Sequence, residues 1–222
     1  MTSRLPHRII WHRLGLQEYR PAWQAMQRFT ERRGLDTADE IRTLQHPPVF
    51  TLGQAGRPEH VLDPGDIPVI RSDRGGQVTY HGPGQIVAYL LFDLRRAGIG
   101  VKTLVQRLEQ AVIDLLSDYA IRAELMEGAP GVYVGGRKIA SLGLRVRRGC
   151  SFHGLSLNCD LELEPFRRIN PCGHPGLEVT RMADLTPISS LEEVERALVQ
   201  RIAERLGSTV EQASGTPPPA DG

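Results

Sequence analysis

The chain lacks several features by which whole classes of protein are recognised. Its three cysteines include no CxxC pair, which argues against a disulfide framework and against a zinc site of paired thiolates. No run of about 18 apolar residues occurs, and residues 1–12 lack the apolar core and cleavage site of a secretory signal. The net charge of +1 gives no general reason to expect binding to nucleic acid or to an anionic membrane. We therefore predict a cytoplasmic protein with reduced thiols.

Several common site motifs are also missing. The histidines form no HxxxH or HExxH pair, so a metal site is not expected. The chain has neither the GxxxxGK[ST] loop of P-loop proteins nor the GxGxxG fingerprint of dinucleotide-binding domains. No G-x-S-x-G nucleophile motif of serine hydrolases is present. The absence of these motifs therefore predicts that the protein uses no metal and no cofactor.

The 222 residues are enough for one domain with a substantial core. Apolar residues at helical spacing predict a helix from about Pro21 to Arg33, with the proline in the first turn, and a second over about residues 101–119. A third helix begins at the capping box of Ser190 and Glu193. We predict a single catalytic domain at residues 1–206. Residues 207–222, rich in Ser, Thr, Gly and Pro, are expected to be a disordered tail.

Short apolar and alternating runs predict the strands. They lie at residues 8–13, 40–44, 49–52, 69–71, 86–93, 131–134, 137–146 and 151–157. Gly135 and Gly136 are expected to join two of these strands as a two-residue hairpin, because glycine accepts positive φ. Strands in consecutive hairpins, with helices between the groups, favour an α+β fold over a doubly wound parallel sheet. We expect a mainly antiparallel or mixed sheet packed with helices.

Lys138 follows this hairpin in the segment Gly-Gly-Arg-Lys-Ile-Ala-Ser-Leu-Gly. Strict alternation along the strand would place Lys138 on the same face as Ala140, Leu142, Leu144 and Val146. The lysine would then end an otherwise apolar row. It would either extend to solvent at the end of the strand or project into a site.

Cys172 lies in the segment Ile-Asn-Pro-Cys-Gly, between a proline and a glycine. Free cysteines are usually buried and inert, but these neighbours favour an exposed loop in place of a helix or strand. The residues alone leave packing and catalysis open for Cys172. Cys150 and Cys159 have no partner residue at a useful spacing, so we interpret both as structural.

The segment from Arg74 to Gln85 contains four glycines and a proline among polar side chains. A plain turn before the next strand is one interpretation. The density of polar groups favours the other, a loop whose backbone closely approaches a ligand. His153 is either a hydrogen-bonded strand histidine or part of a pocket, and the adjacent Gly154 favours the pocket. A thiol hydrolase with His81 or His153 as its base stays open.

Together, these motifs resemble the octanoyltransferases of lipoate biosynthesis, also called lipoyl(octanoyl) transferases or lipoate-protein ligase B. The resemblance covers nearly the whole chain, from about residue 8 to residue 206. The blocks that carry it are His46–Gly53, Arg74–Gln85, Lys138–Gly143, Arg148–Asn158, Ile169–Gly173 and Val179–Thr180. Any one block alone would be weak, but the set in this order is specific.

The resemblance implies a fold like the catalytic domain of biotin and lipoate protein ligases. It implies transfer of octanoyl from octanoyl-acyl carrier protein to a lysine of lipoyl domains in 2-oxoacid dehydrogenase complexes and of glycine cleavage H protein. In the family's motifs the thioester nucleophile corresponds to Cys172 and its partner to Lys138. Substrate-binding positions carry over to Arg74, Gly75, Gly76, Gln77, Val78, Thr79, Tyr80, His81, Ser141, Leu142, Gly143, Gly154, Leu155 and Ser156, with His153 as a further pocket candidate.

Three other functions compete with this interpretation. An ATP-dependent lipoate or biotin ligase of the same fold needs an adenylate-binding lysine but no nucleophilic thiol. A Cys-His thioesterase would release free acid. A carrier-binding module without activity would need neither Cys172 nor Lys138. The presence of both residues in their motifs favours the transferase.

Overall fold

The computed structural model describes residues 7–214. The strands of this range are β1 (His7–Leu16), β2 (Asp39–Gln45), β3 (Val49–Leu52), β4 (Val69–Arg71), β5 (Val78–His81), β6 (Gln85–Leu91), β7 (Glu124–Met126), β8 (Ala129–Val134), β9 (Arg137–Arg147), β10 (Cys150–Asn158) and β11 (Ser208–Gln212). The helices are α1 (Tyr19–Arg32), α2 (Leu94–Ala97), α3 (Val101–Asp118) and α4 (Leu191–Leu206). No helix among these described residues is long and apolar enough to cross a membrane.

The strands form one large sheet and one small sheet. The large sheet has the order β11-β1-β2-β6-β10-β9-β8-β7. Its β11, β1 and β2 are parallel neighbours, and every pair from β2 to β7 is antiparallel. The small sheet has the order β4-β3-β5. The predicted α+β fold with a mainly antiparallel or mixed sheet is confirmed.

Alternation along β6 shows how the large sheet is covered on both faces. Ile86, Ala88 and Leu90 belong to the main core, in which the apolar faces of α3 and α4 pack on the sheet. Val87, Tyr89 and Leu91 belong to a second cluster, with Met26 of α1 and Phe152 of β10. The small sheet lies on the α1 side, since Tyr19 of α1 packs with Val49 of β3 and Ile70 of β4.

The predicted helices are present with small differences at their ends. The first begins at Tyr19, so Pro21 lies in its first turn, where a missing N–H has no helical acceptor. The N-cap half of the predicted capping box is present, because the Ser190 hydroxyl accepts a 3.1 Å hydrogen bond from the Glu193 N–H, while the Glu193 carboxylate accepts from the Ser189 hydroxyl. Gly207 ends α4 in the left-handed region, at φ 65°.

The prediction of a disordered tail is wrong for the first residues of that segment. Residues Ser208–Gln212 form β11, which adds to the large sheet as a parallel neighbour of β1. Val210 packs against the main core. The short polar sequence of β11 carries little strand signal of its own, and its conformation depends on the free edge of β1. Residues 215–222 of the predicted tail lie outside the described range.

A bulge after the glycine hairpin changes the direction of Lys138. Gly135 and Gly136 have φ values of 54° and 76°, so the predicted hairpin is confirmed. Tyr133 pairs with Lys138 but Val132 pairs with Ala140, which makes Ile139 an extra residue in β9. Ile139 and Ala140 both lie in the main core, whereas the lysine reaches the opposite face. The prediction that Lys138 shares a face with Ala140 and the apolar residues after it is therefore wrong, because strict alternation of side chains does not continue through a bulge.

Candidate active site

One cavity collects most of the predicted site residues. It lies on the face of β6, β9 and β10 that α1 and the small sheet cover. The predicted residues that line it are Arg74, Gly76, Gln77, Val78, Thr79, His81, Lys138, Ser141, Leu142, Gly143, His153, Gly154, Leu155, Ser156 and Cys172. Residues that are more than 90 positions apart in sequence are therefore neighbours around one space.

Two of the predicted residues do not line the cavity. The Gly75 N–H donates a 3.1 Å hydrogen bond to the Leu144 carbonyl, which ties the glycine loop to β9. Tyr80 points to the other side of the small sheet and packs with Phe50 and Phe166. Tyr80 faces away from the cavity because side chains alternate along β5, and Gly75 contributes its backbone hydrogen bond to β9.

Sequence reasoning missed four further residues of the cavity wall. They are Tyr19, Val87, Tyr89 and Pro130. The alternation of β6 contained a usable signal for Val87 and Tyr89, which share one face of that strand. Tyr19 at the start of α1 and Pro130 in β8 carried no local signal, since only the tertiary packing brings them to the site.

Cys172 and Lys138 are in direct contact. The Lys138 Nζ lies 2.9 Å from the Cys172 Sγ and also donates a 3.0 Å hydrogen bond to the Pro130 carbonyl. The lysine is buried, at 3% exposure, while the cysteine is partly accessible. A buried amine aimed at a reachable thiol is a typical arrangement for nucleophilic catalysis.

The backbone fastens the cysteine segment to the lysine strand. Cys172 lies at the centre of a short 3₁₀ turn, Pro171–Gly173, in the left-handed region at φ 56°. Downstream, the Lys138 N–H donates to the Glu178 carbonyl and the Thr180 N–H donates to the Lys138 carbonyl, each at 2.9 Å. The relative position of thiol and amine is therefore set by main-chain hydrogen bonds. A non-glycine residue with positive φ is uncommon and is concentrated at functional sites.

The charge of Lys138 follows from its surroundings. Burial lowers the pKa of Lys138, but the charge of the Cys172 thiolate and its hydrogen bond to the amine raise that pKa by more. The net pKa lies above the ordinary value of 10.5. Lys138 is therefore an ammonium near neutral pH, and this cation lies where it stabilises a thiolate.

Arg74 is a second buried cation at the cavity. Its guanidinium donates hydrogen bonds to the Thr51 hydroxyl and carbonyl and to the carbonyls of Gly75 and Gln77, at 2.6–3.0 Å. Burial lowers the pKa of Arg74. These acceptors are all neutral, so the positive charge contributes to the potential inside the cavity. The same hydrogen bonds fix the glycine loop over β9.

Two histidines of this region are held neutral. Burial lowers the pKa of His46 to about 4 and that of His81 to about 3. His46 Nε2 lies 2.7 Å from the Tyr89 hydroxyl, and His81 Nδ1 lies 2.7 Å from the Gln85 side-chain oxygen. Both rings are therefore hydrogen-bonded and uncharged near neutral pH.

The arrangement does not favour a Cys-His pair. His153 Nε2 lies 2.8 Å from an Asp73 carboxylate oxygen, and His81 faces Gln85. Within residues 7–214, the side chain hydrogen-bonded to the Cys172 sulfur is that of Lys138. Neither candidate histidine is hydrogen-bonded to the Cys172 sulfur, as the base of a Cys-His pair would be.

The other two cysteines have no comparable setting. Cys150 and Cys159 are both buried. Burial raises the pKa of Cys159 to about 12, which keeps it a neutral thiol. Both placements agree with the structural interpretation from the sequence.

Gly154 provides a direct test of the close packing beneath the cavity. A Cβ atom at this position would lie 2.0 Å from the Ala88 carbonyl oxygen of β6. Gly154→Ala is expected to lower the free energy of unfolding by at least about 2 kcal/mol, because strand backbones must separate. Chemical denaturation checks this. Gly34→Ala is the matched control, since no atom lies within 4 Å of its Cβ, and it should change stability by less than about 0.5 kcal/mol.

Comparisons with known sequences show the family of the chain. The chain matches the lipoyl protein ligase A/B catalytic domain over residues 18–203. It is 57% identical over 216 residues to an octanoyltransferase of Xanthomonas euvesicatoria pv. vesicatoria, covering 97% of this chain and 92% of the relative. It is 61% identical over 193 residues to an octanoyltransferase of Alkalilimnicola ehrlichii, covering 87% and 90% of the two chains.

Solved structures share the fold at low sequence identity. A bi-partite lipoate protein ligase from Thermoplasma acidophilum superposes with a TM-score of 0.74 at 17% identity, covering 98% of this chain and 89% of the other. A biotin protein ligase from Aquifex aeolicus, in complex with biotin and ATP, gives a TM-score of 0.56 at 14% identity, covering 90% and 70%. The expected similarity to biotin and lipoate ligase catalytic domains is confirmed at the level of the fold.

Proposed function

The chain belongs to the lipoyl protein ligase A/B catalytic-domain family and is an acyltransferase, and from this premise we propose that it catalyses octanoyl transfer in lipoate biosynthesis. The donor is octanoyl-acyl carrier protein. The acceptor is a specific lysine of lipoyl domains, in 2-oxoacid dehydrogenase complexes and in glycine cleavage H protein. The reaction is the first step of endogenous lipoate attachment and passes through a Cys172 thioester.

The observation that carries this proposal is the 2.9 Å contact between the Lys138 Nζ and the Cys172 Sγ at the cavity. An ATP-dependent ligase activates a free acid and has no use for a thiolate. A thioester donor is already activated, so a thiolate can exchange with it at nearly balanced free energy. The cysteine-lysine pair therefore supports a transferase over a ligase of the same fold.

The first half-reaction forms the acyl-enzyme. The Cys172 thiolate attacks the carbonyl carbon of the donor thioester, and the negative charge moves from sulfur to the carbonyl oxygen. The Lys138 ammonium, already beside the sulfur, is close enough to stabilise that oxyanion. The tetrahedral intermediate then expels the carrier's thiolate, which takes a proton from Lys138. Cys172 is left as an octanoyl thioester and Lys138 as a neutral amine.

The second half-reaction uses that neutral amine as a base. The target lysine of the lipoyl domain attacks the Cys172 thioester, and Lys138 accepts the proton that the attacking nitrogen must lose. Collapse of the second intermediate forms the amide and returns Cys172 as a thiolate beside the Lys138 ammonium. An amide is more stable than a thioester, so this step drives the transfer.

Apolar residues of the cavity wall support binding of an acyl chain. Val78, Val87, Leu142 and Leu155 are part of that wall, and the Val87 side chain lies on the same side of the large sheet as the cavity. Burying an octanoyl chain among them contributes about 0.8 kcal/mol for each methylene removed from water.

We predict that transfer to a protein lysine exceeds release of free acid. The enzyme is mixed with octanoyl-acyl carrier protein and a lipoyl domain, without ATP. Mass spectrometry then measures the octanoylated lysine and the free octanoate. The octanoyl-lysine is expected to be the main product, because the amide-forming step consumes the acyl-enzyme faster than water does.

A lipoyl domain with its target lysine replaced by arginine serves as the control and should receive no octanoyl group. Free octanoate as the main product in the presence of the intact lipoyl domain would favour the Cys-His thioesterase instead. A strict requirement for ATP and free octanoate would favour the ligase.

A further inference from the structure

His153 combines three unusual properties that the transfer reaction does not use. It is buried, at 1% exposure, and it lines the cavity. Its backbone lies in the left-handed region at φ 58°, which a non-glycine residue in a strand rarely adopts. Its Nδ1 is buried without a hydrogen-bond partner. An unpaired buried polar atom and a strained backbone at one residue together point to binding.

Asp73 determines which ring nitrogen carries the proton. The carboxylate accepts hydrogen bonds from the Trp23 indole N–H, the Gln27 amide and His153 Nε2. Those hydrogen bonds and the imidazole outweigh burial, so the pKa of Asp73 is lowered and it stays an acceptor. The proton of the neutral imidazole is therefore on Nε2. Burial lowers the pKa of His153, so Nδ1 presents a free lone pair at neutral pH.

The sheet register places His153 away from the reacting sulfur. Lys138 Nζ reaches the level of Gly131, where a Cβ atom would lie 3.2 Å from it. Gly131 lies opposite Ser141, since the following Val132 pairs with Ala140. His153 pairs with Leu144, three residues farther along β9. Gly131 is on β8 and His153 is on β10, two strands away, so the two levels are separated by roughly 10 Å along the strands and roughly 10 Å across them, or roughly 14 Å in all.

An acyl chain with a polar end can reach across that distance. Eight carbons joined by bonds of about 1.5 Å span roughly 9 Å when extended. The bond to sulfur, a terminal C–O bond and a hydrogen bond of about 2.8 Å add roughly 6 Å, so a terminal hydroxyl on a chain attached at Cys172 would come close to His153. A proton transfer from His153 to the reacting atoms would need contact, so the imidazole is poorly placed as the base of this reaction.

We propose that His153 is a specificity-determining residue at the far end of the acyl cavity, where its Nδ1 accepts a hydrogen bond from acyl chains with a hydroxyl group at their last carbon. This inference rests on the proposed octanoyl transfer. A methyl end leaves Nδ1 unpaired, while a terminal hydroxyl satisfies it. Binding sites with a buried polar atom discriminate between such analogues.

The test compares two donors on each enzyme preparation: acyl carrier protein loaded with octanoyl and with 8-hydroxyoctanoyl. The measured quantity is the ratio of kcat/KM for the hydroxylated donor to that for the octanoyl donor. His153→Leu is expected to lower this ratio by about tenfold, because leucine removes the acceptor. Using a ratio cancels differences in the amount of folded enzyme.

His153→Asn is the matched variant, because asparagine tolerates the left-handed backbone and keeps a side-chain oxygen near the position of Nδ1. Its ratio of kcat/KM for the two donors should stay within about threefold of the ratio for the original enzyme. If His153→Leu does not fold, His153→Gly accepts the same φ and also lacks the acceptor.

Equal ratios in the original enzyme and the leucine or glycine variant would overturn the proposal. An equal loss in the asparagine variant would also overturn it, since the effect would then come from the lost Asp73 contact. Failure of the original enzyme to transfer octanoyl from its carrier protein would instead contradict the proposed function.

Discussion

Replacing Cys172 with alanine is expected to reduce octanoyl transfer at least about a thousandfold and to abolish the covalent intermediate. Of the three cysteines, Cys172 is the one whose thiol is hydrogen-bonded to the Lys138 ammonium within residues 7–214. Mixing the enzyme with octanoyl-acyl carrier protein, without acceptor, should add one octanoyl group to the intact mass. Peptide mapping should locate it on Cys172, as a thioester that hydroxylamine cleaves. The alanine variant should show no such addition.

Cys150→Ala is the matched control for this experiment. Its sulfur is buried at the start of β10, so the variant should lose some stability but keep the acyl-enzyme and the transfer reaction. An octanoyl group mapped to Cys150 or Cys159 would contradict the assignment. So would rapid turnover by an enzyme that never forms an adduct under the same conditions.

Local sequence signals were sufficient for much of the framework. The stripe of α3, the N-cap of Ser190 and the glycine hairpin each depend on residues within a few positions of one another. Those interactions form in the same way in most contexts, so the structure reproduces them. The α+β class followed from the order of these elements, since consecutive hairpins leave few ways to pair the strands.

The site depended on contacts that no local pattern encodes. Lys138 faces the cavity only because Ile139 is an extra residue in β9, which reverses the expected alternation. The cysteine lies beside it because residues 178–180 bond to the main chain of Lys138. The sequence supplied both residue types, and the resemblance to a family supplied their pairing. Spacing alone would not have brought together side chains 34 positions apart.

The strand β11 and the conformation of His153 are two further features that the local sequence does not predict. The polar segment Ser208–Gln212 becomes a strand through hydrogen bonds to β1. His153 takes a positive φ within β10, although histidine has only a modest tendency to do so. In both places tertiary contacts override the local preference. Departures from local rules are more frequent at functional sites, which is why the structure draws attention to His153.

Replacing Lys138 with alanine is expected to slow octanoyl transfer by about a hundredfold or more while the fold is retained. The substitution removes the cation that stabilises the Cys172 thiolate and the oxyanion, and it removes the base of the second step. Lys138→Arg keeps a positive charge but cannot release a proton near neutral pH. Compared with Lys138→Ala, it should therefore restore the rate of acyl-enzyme formation more than the rate of transfer to the lipoyl domain.

The pH dependence separates this role from a structural one. Because the pKa of Lys138 lies above its ordinary value of 10.5, the ammonium persists from neutral to mildly alkaline pH. Between neutral and mildly alkaline pH, Cys172 should therefore react with iodoacetamide more slowly in Lys138→Ala than in the original enzyme, because the variant lacks the cation that favours the thiolate. The exposed Lys102 of α3 provides the control, since Lys102→Ala should leave the alkylation profile and the transfer rate unchanged. Identical profiles and rates for Lys138→Ala and the original enzyme would show that the two side chains do not act as a pair.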